Sequence, residues 1–216
     1  MNILFTGASS CTGMHFVQEL ALRGHKITCV FTRHPKDYHG IRKVRIQKIL
    51  PYIHPIWNTK FGEPSFCTLL KKNNFDIVAN FAAHKHVRSE KDIFSIEALI
   101  QNNVFGAIKL LDLLKNKPPK YFFGVSTDKA ANPVNIMGAS KNIMEQIILH
   151  YKNDFRVSTA RFANVAFSNG SLLDGFINRI NKKQPIACPS DIKRFFVTPE
   201  ESGQICLLST FLGETG

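Results

Sequence analysis

Along the chain, short unbroken apolar runs alternate with stretches whose apolar residues recur every three or four positions. Continuous runs suit strands buried on both faces, and the longer period suits helices laid over them. The first strand is expected at residues 2–6 ("NILFT") and the first helix at 13–23, closed by Gly24. Strands follow at 26–32 ("KITCVFT") and at 43–49 ("KVRIQKI"), the latter with irregular flanks. Pro64 marks a helix start within 61–74, which leads into a strand at 76–82 ("DIVANFA"). A long helix over 96–114 stops ahead of Pro118; a strand at 121–127, a helix at 137–152 and a strand at 156–163 come next. Two helices separated by a loop, in "GSLLDGFINRINKKQ" and "TPEESGQICLLSTFL", close the pattern. The alternation is that of the α/β class, a doubly wound parallel sheet.

Composition narrows this picture. The 216 residues are 44% hydrophobic and 20% charged, enough for a sizeable core and unlike a disordered chain. No apolar run reaches the ~18–20 residues of a membrane span, and "MNILFTGASS" lacks a signal peptide's basic start and cleavage site. A cytoplasmic location is therefore expected. Cys11, Cys29, Cys67, Cys188 and Cys206 form no CxxC pair, so neither a metal site nor a disulfide framework is expected. The 28 basic against 16 acidic residues give +12, which suits phosphate-bearing small molecules or simply a basic surface. The lysines stand in ones and twos, with pairs at 71–72 and 182–183 and no aromatic platform, so no nucleic-acid partner is expected.

The segment "TGASSCTG" (6–13) lies where the first strand meets the first helix. A glycine-rich turn there lets backbone N–H groups approach a pyrophosphate at the positive end of the helix dipole. Gly7, Ser9, Ser10, Cys11, Thr12 and Gly13 are the candidate cradle, Gly7 for the tight turn and Gly13 for a close helix–strand contact. Ser10 occupies the middle glycine position of TGxxGxxG; its hydroxyl can donate to phosphate, while its Cβ crowds the approach. The second strand ends in "FTRHPK", with no acid before Asp37 to take a ribose 2′-hydroxyl. Arg33 at that place suits a 2′-phosphate, so NADP is favoured over NAD.

Four further segments fall in order: "NFAAHKHVRSEKDIFSIEALIQNNVFGA" (80–107), "VSTDKAANPVNIMGASK" (125–141), "ARFANVAFSNGS" (160–171) and "DIKRFFVTPEE" (191–201). Together they resemble the extended short-chain dehydrogenase/reductases, and within these the polysaccharide-biosynthesis group of UDP-N-acetylglucosamine 4,6-dehydratases. The resemblance implies a Rossmann-type NADP-binding domain over 1–163 and the start of a substrate-binding lobe over 164–216. It also implies a UDP-sugar substrate and association of copies into a homo-oligomer. The reaction it implies oxidises the sugar at C4, eliminates water across C5 and C6, and returns hydride to C6. Such a sequence needs a base at C5, an acid for the departing hydroxyl and help at the C4 hydroxyl.

On that resemblance, Thr127 steadies the C4 oxygen, Asp128 is the acid for the leaving hydroxyl and Lys129 the base at C5. Lys141 holds the cofactor ribose. The usual YxxxK tyrosine is Met137 here, one helical turn before Lys141 on the same face. Methionine moves no proton, which disfavours a simple reductase, whereas the Asp128–Lys129 pair is what an elimination requires. Asn103 matches an asparagine that supports the active-site backbone, and Ala82, Ala83, His86 and Val87 match the loop beside the nicotinamide ribose. Asn164 and Arg194 match residues near the substrate phosphates, and His86 is also a candidate substrate contact. Asn169 stands where the resembled "SRGS" has arginine. Two other readings stay open: an NADP-dependent nucleotide-sugar epimerase or reductase, and a non-catalytic nucleotide-binding module.

Overall fold

The computed structural model describes residues 1–84, 92–188, 190–191 and 193–214. Six parallel strands form one sheet: β1 (Asn2–Thr6), β2 (Lys26–Val30), β3 (Ile53–Ile56), β4 (Ile77–Asn80), β5 (Tyr121–Val125) and β6 (Arg156–Ala160). Their order is β3-β2-β1-β4-β5-β6, so the direction of winding reverses between β1 and β4. Open α/β sheets take ligands beyond the carboxyl ends of the strands at such a point.

Side chains alternate between two cores. Ile3 and Phe5 of β1 and Phe123 of β5 face α1 (Cys11–Leu22), where Phe5, Phe16, Phe81 and Phe123 pack ring against ring. Leu4 and Phe122 face the opposite layer, which holds α3 (Pro64–Lys72) and α6 (Ile136–His150). Gly124 has no side chain because Ile148 fills its place: a Cβ would stand 2.5 Å from that residue's Cδ1. The helix expected over 96–114 is real but not uniform. It runs as α4 (Ile93–Ile100), a π-turn (Gln101–Phe105) and α5 (Gly106–Lys115), with Gly106 N–H bonded five residues back to Gln101.

Residues 43–49 are not a strand. They belong to α2 (Gly40–Ile49), whose inward face is Arg45, Ile46 and Ile49. That spacing is helical, and the alternation of Val44 with Ile46 imitates a strand. The third strand is instead β3, whose Pro55 is tolerated because β3 lies at the sheet edge.

After β6 the chain pairs β7 (Asn164–Val165) with β8 (Phe196–Val197) in a small parallel sheet, flanking α7 (Leu172–Asn181). The last helix, α8 (Pro199–Leu212), returns to the main sheet and packs on α1. Gly203 permits the approach, since a Cβ there would meet the His15 backbone at 2.9 Å. Thr198 and Glu201 form a capping box at the start of α8. Among the described residues no helix is long and apolar enough to cross a membrane.

Candidate active site

The loop after β1 is shaped for an anion. Gly7 has φ +78°, and a Cβ there would lie 2.5 Å from the carbonyl carbon and oxygen of Phe81, so only glycine fits. Ser10 caps α1: its Oγ accepts from Gly13 N–H at 3.0 Å, which leaves the hydroxyl hydrogen to donate outward. Gly13 is needed for a reason other than the expected helix–strand contact. A Cβ on it would meet Ser10 Oγ at 2.6 Å and the Gly7 carbonyl at 2.7 Å, within the loop itself. Thr12 is tied to α8 by Ser202, at 3.2 Å between the hydroxyls. These residues fit a pyrophosphate, with a glycine cradle opening onto the start of a twelve-residue helix. Arg33 is exposed just beyond β2.

The β4 end is wired to both sides. Buried Asn80 accepts from the Thr6 hydroxyl (2.8 Å) and from Ala82 N–H (3.1 Å), joining the ends of β1 and β4. Asn103, buried on the π-turn, accepts from His84 N–H at 2.9 Å and donates to His84 O at 3.0 Å. Its amide also donates to Ser140 on α6 at 3.0 Å. All of its polar atoms are thus spent on protein, and Asn103 positions the loop that carries Ala82 and Ala83. His86 and Val87 lie outside the described residues.

Beyond β5 the chain makes a single 3₁₀ turn, with Thr127 as its cap. Asp128 Oδ1 gathers three donors: the Thr127 hydroxyl (2.9 Å), Lys129 N–H (2.9 Å) and Lys129 Nζ (3.1 Å). Burial pushes the Asp128 carboxyl up, but the bonds from Lys129 and Thr127 outweigh it, and the net direction is down. The turn is pinned to α6, where Asn142 donates to Ala130 O at 2.8 Å. Gly138 comes so close to Lys129 O that a Cβ would sit 2.6 Å away.

Met137 and Lys141 are both buried on α6. Lys141 Nζ donates to Val125 O at 2.9 Å, and burial lowers its pKa to about 8 against the opposing pull of Glu145. Glu145 is itself buried and held by Arg161, whose Nε reaches both carboxylate oxygens at 2.9 and 3.1 Å. The Ser126 hydroxyl, one residue beyond β5, is the one buried side-chain polar atom without a hydrogen-bond partner among the described residues. Sequence reasoning passed over Asn80, Ser126, Glu145 and Arg161. Glu145 alone carried a signal, one turn beyond Lys141 on the same helix.

The sheet order sets the ends of β1, β4 and β5 side by side, which brings the glycine loop, the 82–84 segment and the Thr127–Lys129 turn to one edge. Asn164 opens β7 of the small sheet, where it pairs in register with Phe196 and donates to Phe195 O at 3.3 Å; Arg194 is exposed, two residues ahead of β8. A hollow of about 730 Å³, lined by residues including His25, Lys26, His54 and Lys72, opens at the opposite end of the strands, away from this chemistry.

The family described as polysaccharide biosynthesis protein matches residues 3–216. A probable polysaccharide biosynthesis protein, EpsC of Bacillus subtilis, is 28% identical over 207 residues, which are 93% of this chain and 34% of that protein. A UDP-glucose 4-epimerase of Rickettsia canadensis is 30% identical over 99% of this chain and 64% of its own length. An inverting UDP-N-acetylglucosamine 4,6-dehydratase of Campylobacter jejuni is 32% identical over 63% of this chain and 42% of its own. The fold is also that of UDP-glucuronic acid 4-epimerase from Bacillus cereus, solved with UDP-glucuronic acid and NAD. That match has a TM-score of 0.85 at 18% identity and covers all of this chain and 76% of the other. The chain spans only about a third of the length of the curated relatives named for polysaccharide biosynthesis.

Proposed function

We propose, on the premise that the chain belongs to the polysaccharide biosynthesis protein family, that it carries the catalytic core of an NADP-dependent nucleotide-sugar 4,6-dehydratase. The substrate is UDP-N-acetylglucosamine or a similar UDP-sugar, used to build surface polysaccharide or glycan. One observation carries this reading. Asp128 and Lys129 form a hydrogen-bonded acid–base pair, joined by the Thr127 hydroxyl, on the turn after β5, and Met137 of α6, the helix packed on that turn, moves no proton.

A bound nicotinamide would supply reversible oxidation at the sugar, held by the glycine loop and, through a 2′-phosphate, by Arg33. Thr127 steadies the C4 oxygen, whose proton passes to solvent on oxidation, and the Asp128–Lys129 pair regains one proton from solvent after turnover. Asp128 and Lys129 lie 3.1 Å apart as an ion pair, whereas their roles need a protonated carboxyl and a neutral amine. Passing one proton from Nζ to Oδ1 gives both at once, leaving Lys129 to take the C5 proton and Asp128 to protonate the C6 hydroxyl. Excluding water around the sugar favours that transfer, because a low dielectric penalises the separated charges.

The test is incubation with UDP-N-acetylglucosamine and NADP⁺, followed by NMR for loss of the C5 proton and a 4-keto, 6-deoxy product. Asp128→Asn and Lys129→Ala should each lower turnover by roughly 10²–10⁴. Turnover undiminished in both would sink the role assignments. Tight NADP binding without product would favour a non-catalytic module. A C4-inverted sugar without loss of water would favour the epimerase reading, which the 30% identical relative supports.

A further inference from the structure

Arg45 stands midway along α2 and is 8% exposed. Its guanidinium makes one hydrogen bond among the described residues, from Nη2 to Asn169 Oδ1 at 3.1 Å. Among the described residues no carboxylate lies within ion-pair distance of it. A guanidinium carries five N–H donors and keeps its charge at any working pH. The remaining N–H donors of Arg45 have no protein partner among the described residues and keep access to solvent, so an anion reaching them would gain charge-assisted bonds.

Its position suggests which anion. α2 and α8 both pack on α1, the helix whose first turn closes the glycine loop. Asn169 belongs to the turn after β7, on the segment that continues from the carboxyl end of β6. The Arg45–Asn169 bond therefore joins α2 to the strand-end loops. The His15 ring, one turn into α1, is held low chiefly by burial; Lys48 and Arg45 add to that, and Glu200 and Glu19 oppose it. Glu200 is engaged at 3.8 Å with His15 rather than with Arg45. The resembled motif has arginine at position 169, and a second guanidinium there would face Arg45 with like charge. Asparagine accepts from it instead.

We propose that Arg45 delivers, from α2, a phosphate-binding guanidinium for the nucleotide ligand, with Asn169 as the partner it exchanges for the phosphate. This rests on the nucleotide-binding reading above. The phosphate has three sources: the 2′-phosphate of the dinucleotide, its pyrophosphate, or the diphosphate of the sugar nucleotide. Titration calorimetry with NADP⁺, NAD⁺ and UDP on wild type and Arg45→Gln separates them. A charge-assisted bond is lost, so affinity should fall roughly ten- to hundred-fold. A loss confined to NADP⁺ assigns the 2′-phosphate. An equal loss for both dinucleotides assigns the pyrophosphate, and a loss for UDP alone the sugar-nucleotide diphosphate.

Arg45→Lys keeps the charge without the fork and should show a smaller loss of the same pattern; it is the variant to read if Arg45→Gln does not fold. Asn169→Ala should hold each Kd within about twofold or tighten it. Kd values unchanged in the Arg45 variants overturn the proposal, as does an Asn169→Ala loss as large as that of Arg45→Gln. If Arg33→Ala loses NADP⁺ selectivity while the Arg45 variants bind normally, only the Arg45 proposal falls. A wild-type chain that binds none of the three overturns the nucleotide reading as well.

Discussion

On the proposed function, Lys141 is the residue at which stability and activity pull in opposite directions. Its side chain is buried, Nζ is committed to Val125 O, and Glu145, one turn on, is already occupied by Arg161. Burial takes the ammonium from 10.5 to about 8, although Glu145 pulls the other way. That difference is on the order of 3 kcal/mol against the charged form. Below pH 8 the lysine is protonated both folded and unfolded, and the full penalty weighs on the fold. Between about 8 and 10.5 the unfolded chain binds more protons than the folded one, so stability rises with pH as the penalty is relieved.

Lys141→Met keeps the length of the side chain, removes the penalty and forfeits the bond to Val125, worth about 1 kcal/mol. The variant should therefore be more stable than wild type at pH 7 by roughly 2 kcal/mol. For a chain of this size that is about 4–8 °C in Tm. The gap should close as pH rises to 10.5 and reverse slightly beyond it. Urea and thermal unfolding followed by circular dichroism, from pH 6 to 10.5, measure it. A variant less stable than wild type at pH 7, or a gap that ignores pH, would refute the reasoning. On the proposed function, the same stabilised variant binds NADP⁺ poorly and turns over no sugar.

Two further outcomes follow from the geometry. Gly7→Ala places a Cβ against the Phe81 backbone at positive φ and should cost about 1–3 kcal/mol in urea unfolding. It should also weaken dinucleotide binding by more than tenfold while UDP affinity holds. Asn103→Ala removes the bonds to the His84 amide and carbonyl and to the Ser140 hydroxyl, at a cost of about 2–4 kcal/mol. Hydrogen exchange should quicken at His84 well before it does in β4.

The strands of the main sheet were legible because strands buried on both faces write themselves as unbroken apolar runs, as "NILFT" and "YFFGV" do. β3 was not, because Ile53 and Ile56 flank a histidine and a proline that only an edge strand accepts. α2 misled for the converse reason: its solvent face places Val44 two residues from Ile46, and which of them points inward depends on the sheet beneath. In the site, the glycine loop and the Thr127–Lys129 turn could be read because their geometry is local, fixed by residues within a few positions. Asn80, and Arg45 with Asn169, could not, since each draws its meaning from a neighbour far along the chain; Glu145 was signalled by its place one turn beyond Lys141, but its partner Arg161 was not.

The π-turn at Gln101–Phe105 inserts one residue into what would otherwise be a continuous α-helix, and Asn103 lies within that insertion. An ordinary helix of one residue fewer would satisfy its backbone better and still cover the sheet. It would also rotate the asparagine about 100° away from His84. The placement of the 82–84 loop is therefore stored in a residue count as well as in a residue identity. Shortening this helix by one position should leave the chain folded and more helical, yet with the β4 loop cut loose from α6. Substitutions at 103 test only half of that dependence; a single-residue deletion between 101 and 105 tests the other half.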